Sequence, residues 1–300
     1  MTLPTYTPYD GSAKPFTIGL MPLDPSRWIE PDEELGRYLT EKQHLLAGHR
    51  EEIFVAGSDT DAAQQECLEL LVDHLCNQHS DIYQRRGNMI DVLDHLVDLS
   101  DPTPPLLKAG SLIADDLVLM RRKEAGWHLV AGHVAFPSSW SLREKFARPL
   151  QAIHADVPGF SEGTRNATLI TRIFDNLQVT QPVERLNWSI NRTDDLFLPV
   201  SKHSLPEAPS SFSLSERFVR VERQTLRKLP VSGDIVFTIR VYVDPIAALK
   251  HHPEASRLAV AFADQIGALT DDQLGYKNLH SQRDRLVFLL RELAMTASPA

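Results

Sequence analysis

A chain of 300 residues, 42% hydrophobic and 24% charged, can bury a substantial core as one large domain or two ordinary ones, and its balance excludes general disorder. With 31 Lys+Arg against 40 Asp+Glu the formal net charge is -9, which argues against general nucleic-acid binding because few phosphates can be neutralised cheaply; a local basic patch for an acidic partner or a carboxylate-bearing cofactor stays open. Two cysteines, Cys67 and Cys76, exclude a disulfide framework and an iron–sulfur cluster held by thiolates of this chain alone, and they suit a reducing compartment.

The first 30 residues, rich in Pro and Thr, read as an extended arm over the surface, without the basic and apolar regions of a signal peptide. Helical spacing runs through 32–52, with Leu35, Leu39, Leu45 and Leu46 on one broad side, and more strongly through 60–80, where Cys67, Leu70, Leu71, His74 and Leu75 form a stripe behind Asp59 or Thr60 as N-cap. The apolar stretch 89–99 (MIDVLDHLVDL) reads as a third helix, stopped by the Pro-rich loop 101–105. Residues 115–121 and 127–136 look like two strands around a KEAG turn. Helical segments follow at 142–154, divided by Pro149, and at 161–177. Strand-like runs at 185–190, 217–226 and 234–243 come next, the last two joined by RKLPVSG, and helical periodicity returns over 245–270 and 280–295. No apolar run reaches the length of a membrane span, so a cytoplasmic protein is expected.

Two strands, a helical interlude and a three-stranded meander are the order of a PAS-like domain, and the fold expected is α+β: a five-stranded antiparallel sheet with flanking N- and C-terminal helices. The divisions expected are an arm and helical region over 1–105, a core over 106–245 and a C-terminal helical region over 246–300, packed as one unit. The chain has no GxGxxG, no GxxxxGK[ST], no HExxH and no CxxCH. Any redox chemistry would therefore draw its electrons from another chain.

The densest region for chemistry is 127–154, WHLVAGHVAFPSSWSLREKFARPLQAIH. His128 and His133, five apart on one strand, should face opposite sides and read as ordinary strand residues. His154 ends an amphipathic helix just before the rigid ADVPGF turn. There it is either a cap interacting with the helix dipole or a metal ligand whose other nitrogen is fixed by a backbone carbonyl. The second dense region is 217–230, RFVRVERQTLRKLP: alternation puts Val219, Val221, Arg223 and Thr225 on one face and Phe218, Arg220, Glu222 and Gln224 on the other. Either face carries a charge among apolar residues, which marks a ligand contact or an Arg–Glu ladder, for instance with Glu184 or Arg240. Asn187 and Trp188 bring an amide and a large ring to the same sheet.

The blocks AGHVAFPSSWSLREKFARPLQAIHADVPGF, RLNWSI, RVERQTLRKLP and IVFTIRVYV, in this order, resemble the haem-binding, alpha-like subunit of the haem-dependent oxidative N-demethylases; the resemblance spans roughly 15–295. It implies a PAS-like domain holding haem b without covalent attachment. It also implies oxidative demethylation of a small secondary amine with dioxygen, and flavin and ferredoxin-type partners that supply electrons. His154 then becomes the axial ligand of the haem iron. Arg223 becomes the leading distal residue or a propionate partner, with Arg240 as a second cofactor-binding cation. Glu222 is the carboxylate for the ammonium if the other face of its strand points inward. Asn187, Trp188 and Tyr242 complete the substrate site. The alternatives are a haem PAS sensor, for which no output domain is readable, and a scaffold subunit without cofactor.

Overall fold

The computed structural model describes residues 3–201, 204 and 211–297. After an arm containing the two-residue strand β1 (Met21–Pro22), the chain forms α1 (Leu35–Ile53), β2 (Phe54–Ala56) and α2 (Asp61–Gln78). A small sheet follows, made of β3 (Tyr83–Arg86), β4 (Met89–Val92) and β5 (His95–Asp98). Next come the short helix α3 (Pro105–Gly110), the hairpin β6 (Asp116–Lys123) and β7 (Gly126–His133), and the helical interlude α4 (Leu142–Lys145), α5 (Leu150–Ile153) and α6 (Arg165–Asn176). The meander β8 (Val183–Asn191), β9 (Phe218–Lys228) and β10 (Ile235–Pro245) leads into α7 (Ala255–Gly267), α8 (Asp271–Lys277) and α9 (Arg283–Thr296).

The protein is α+β, and its main sheet has seven antiparallel strands where five were expected, in the order β1-β8-β9-β10-β6-β7-β2. The five expected strands are adjacent, with β10 bridging the hairpin to the meander. The two additions are edge strands of two and three residues, too short to leave a periodic signal. The arm does more than wrap the surface: it carries β1 and buries Tyr9, Trp28 and Ile29 in the core.

The expected helix over 89–99 is instead β4 and β5. Ile90 and Val92 are buried while Met89 and Asp91 are half-buried, a period of two, and the turns on either side of β4 place Gly87 at φ 64° and Leu93 at φ 51°. Apolar residues at 89, 90, 92 and 93 satisfy both periods over so short a run, and the Gly87-Asn88 turn decides between them.

Helices cover both faces of the sheet. On one, α1–α3 pack on Leu117, Leu119 and Ala131, while α7–α9 pack on Trp188, Ile190, Val219, Val221 and Tyr242. On the other, Leu142 of α4, Leu150 of α5 and Phe174 of α6 pack on Val118, Met120, Leu129, Leu226 and Ile235. This second face, roofed by the interlude, carries the site described next. Among the described residues no helix is long and apolar enough to cross a membrane.

Candidate functional site

His154 ends α5, a single turn held on the sheet by its surroundings. Ala147 N–H donates to the Leu129 carbonyl (2.9 Å), Pro149 bridges to His128, and Leu150 and Ile153 enter the apolar layer. The half-buried imidazole sets its Nδ1 2.9 Å from the Leu150 carbonyl. A carbonyl can only accept, so Nδ1 carries the proton. Nε2 then holds a lone pair and has no hydrogen-bond partner among the described residues. Burial, and to a lesser degree the cations Lys145 and Arg185, push the imidazole's pKa below its ordinary value, so the neutral form is favoured. The backbone carbonyl weighed in the sequence as the fixer of one ring nitrogen is that of Leu150.

Strand pairing fixes which side chains face this imidazole. Leu226 and its partner Val183 lie in the layer that packs on α5, so Arg220, Glu222 and Gln224 of β9 share that face with Arg185 and Asn187 of β8. Asn187 sits opposite Glu222, and Arg185 opposite Gln224, whose amide donates to the Glu222 carboxylate (2.7 Å). Lys145, its pKa lowered by burial, stands 4.8 Å from the Trp140 ring centroid. From α8, Tyr276 comes near Glu222 and Arg185; burial, then the Glu222 charge, push its phenol up to about 12. A cleft of about 620 Å³ opens between the turn that follows His154 and α8, lined by Asp156, Asp271, Asp272, Tyr276 and His280 among others.

Arg220 lies beneath this face and ties its roof together. Fully buried, it donates to Ser138 Oγ (2.6 Å), to the Phe136 and Leu196 carbonyls (2.6 and 3.0 Å) and to the Asp195 carbonyl (3.2 Å). It thereby clamps the loop carrying Trp140 to the segment that follows β8.

The structure thus puts Glu222 and Asn187 on the sheet face that α5, with His154 at its end, packs against, and places Arg223, Arg240, Trp188 and Tyr242 on the opposite face. Arg223 is buried and donates to Glu184 (2.8 Å) and to the Arg27 and Trp28 carbonyls (2.7 and 3.2 Å). That is the Arg–Glu ladder weighed in the sequence. Arg240 donates to Asp32 (2.7 Å) and stacks over Tyr38 and Tyr242, 4.0 and 4.7 Å from their centroids. Trp188 Nε1 donates to Gln265 (3.2 Å), and Tyr242 packs edge-on against Tyr6. Each of these four is engaged in joining the sheet to the arm, α1 or α7.

The reading of His128 and His133 on opposite faces needs correction. The register slips between Leu119 and Met120, so His128 pairs with Arg121 and His133 with Leu117, two β6 residues on one face. They remain apart: His128 Nδ1 meets the Gly126 carbonyl, whereas His133 is fully buried against α3 with neither ring nitrogen bonded. The string Gly159–Gly163 has the spacing GxSxG, but Ser161 lies in an exposed turn between two helices, without the strand-to-helix elbow a nucleophile needs.

Arg185 was not singled out in the sequence. It is one charge in the strand RLNWSI, and only the pairing of β8 with β9 shows that it alternates onto the face of His154.

Among the described residues no group of three or more His, Cys, Asp or Glu is placed to chelate a metal ion. The donor set is one neutral imidazole with a free nitrogen and two desolvated cations beside it. It fits an iron macrocycle, which brings its own equatorial nitrogens and needs an axial base and partners for its carboxylates. Fold and site together define an α+β protein with a site centred on His154 between an antiparallel sheet and short helices. The family model described as haem-dependent oxidative N-demethylase, alpha subunit-like, matches residues 19–287, and the chain belongs to that family.

Proposed function

We propose that this chain binds haem b between α5 and the β8–β9 face and acts in the oxidative N-demethylation of a small secondary amine of the dimethylamine type. The observation that carries the reading is the His154 imidazole, protonated at Nδ1 by its bond to the Leu150 carbonyl and unengaged at Nε2. A proximal histidine requires that tautomer. The adjacent order β7-β6-β10-β9-β8, with the interlude roofing one face, supports the PAS-like reading of the core. When bound, the haem supplies dioxygen activation and oxidation of the N-methyl group. The balance is one secondary amine, one O2, two electrons and two protons to one primary amine, one formaldehyde and one water. The electrons come from a flavin and ferredoxin-type partner, in keeping with a chain that has no nucleotide-binding motif of its own.

The protein's own part is to hold the amine. A secondary amine is protonated at neutral pH and needs an acceptor in a partly dry site. Glu222 supplies the carboxylate, and Asn187 directly across the strands adds an amide with no other hydrogen bond among the described residues. Gln224 holds the carboxylate in place, and Arg220 fixes the roof above it. Taking a proton from the ammonium onto a Glu222 oxygen would free the nitrogen lone pair next to the carbon to be oxidised. Arg223, Arg240, Trp188 and Tyr242 act only through the strands they anchor.

Purified holoprotein supplied with a reductase should release formaldehyde in step with amine consumption. A Soret band without amine-dependent turnover would point to a haem sensor, and no Soret band to a scaffold subunit; either result sinks the enzymatic reading.

A further inference from the structure

Five arginines lie on the meander strands, buried or half-buried on one face of the sheet or the other, and four of them are engaged. Arg227 stacks 4.4 Å from the Trp28 ring centroid; Arg220 makes four hydrogen bonds, Arg223 three, and Arg240 two, one of them to a carboxylate, although the Arg240 Nε is left without a partner. Arg185 makes none. No ion pair, hydrogen bond or ring contact engages it among the described residues, and its Nε is buried without a partner. A guanidinium presents five donors in a rigid fork, and one of them, the Arg185 Nε–H, is here dry and unpaired, which is costly.

Its neighbours do not supply the missing partner. Glu222 shares the face, but Arg185 is registered opposite Gln224, and the Gln224 amide holds the Glu222 carboxylate one position along. Tyr276 is near, but burial pushes its phenol up to about 12, so it is a neutral partner at most. Lys145 is a second cation in the same space, close enough that both it and Arg185 disfavour protonation of His154. Two cations thus lie beside the His154 imidazole, whose Nε2 has no hydrogen-bond partner among the described residues. A planar fork matches a carboxylate in bidentate fashion, and the acidic Glu222 and Asp156 nearby count against a more highly charged phosphate.

We propose that Arg185, assisted by Lys145, is the anchor for a carboxylate of the bound tetrapyrrole, gripping a propionate while His154 takes the iron. The assignment rests on the haem reading above and moves the propionate contact from Arg223 and Arg240 to a residue on the face that carries His154. It also gives the desolvated guanidinium a reason: the side chain is built for a ligand that arrives with its own charge.

The test separates the anchor from the haem reading. Full-length apoprotein is titrated with haemin and with haemin dimethyl ester, whose propionates carry no charge, and the Soret band is followed. Wild type should take up the free acid about ten- to a hundredfold more tightly than the ester, the range expected for one charge-assisted hydrogen-bonded contact. Arg185→Met should lose most of that preference while binding the ester as wild type does, which also shows that the variant is folded. Arg185→Lys should retain part of it. Unchanged discrimination in Arg185→Met, or none in wild type, overturns the anchor alone. If wild type gives no Soret band with either compound, the haem reading falls and the anchor with it.

Discussion

Glu222 and Arg223 are consecutive on β9 and serve opposite sides of the sheet: Glu222 faces the helical roof that carries His154, and Arg223 is buried against the arm, bonded to Glu184 and to the Arg27 and Trp28 carbonyls. One residue step separates the side chain proposed to hold the amine from one that holds the fold.

The two should therefore respond differently to substitution. Arg223→Met strands the Glu184 carboxylate and two backbone carbonyls, and should cost about 2–4 kcal/mol in chemical unfolding. Its absorption spectrum with haem should be that of wild type. Glu222→Gln should change stability by less than about 1 kcal/mol, because its carboxylate is half-buried and bonded only to Gln224. It should instead weaken amine binding about tenfold or more. The reverse pattern, with Arg223→Met altering amine binding and Glu222→Gln unfolding the protein, would mean the faces are misassigned.

Much of this was legible before the structure. The five strands of the core fall where alternation and the turn residues place them, and Pro149 divides the interlude as expected. The inward face of β9 was not legible, because Arg220, Glu222 and Arg223 put charges among apolar residues on both sides; only the pairing with Val183 and the packing of Leu226 decide it. The tautomer of His154 depends on a contact four residues back in the chain, which spacing suggests but cannot fix. Arg185 left no signal, since one Arg in a strand looks the same whether solvated or waiting for a ligand.

A tight approach lies on the side away from the site. A Cβ added to Gly110 in α3 would stand 1.8 Å from His133 Nδ1, inside a fully buried layer. Gly110→Ala should therefore destabilise by about 3 kcal/mol or more, and His133→Ala in the same chain should recover part of that loss. Additive losses in the double variant would show that the two positions do not touch.

Asp115 is buried with neither carboxylate oxygen hydrogen-bonded, and burial pushes its pKa up to about 6. The neighbouring Asp116, which accepts from Ala135 and Phe136 N–H, is also raised to about 6 by burial. A carboxyl whose folded pKa is raised stabilises the fold while protonated, and that contribution is lost as pH climbs from the ordinary carboxylate value toward the folded one. Asp115→Asn removes the cost of ionisation. Its stability relative to wild type should rise between about pH 4 and pH 6 by on the order of 2–3 kcal/mol. A pH-independent difference between the two proteins over that range would contradict the burial of an unpaired carboxyl.

The central claim is that His154 Nε2 is the protein's bond to the haem iron, and replacement of the ring by a cavity tests it most directly. His154→Gly should lose the wild-type Soret position and most of its haem affinity, and added imidazole should restore the spectrum by filling the vacated place on the iron. Full haem retention with an unchanged spectrum in His154→Gly, without imidazole, would contradict the account.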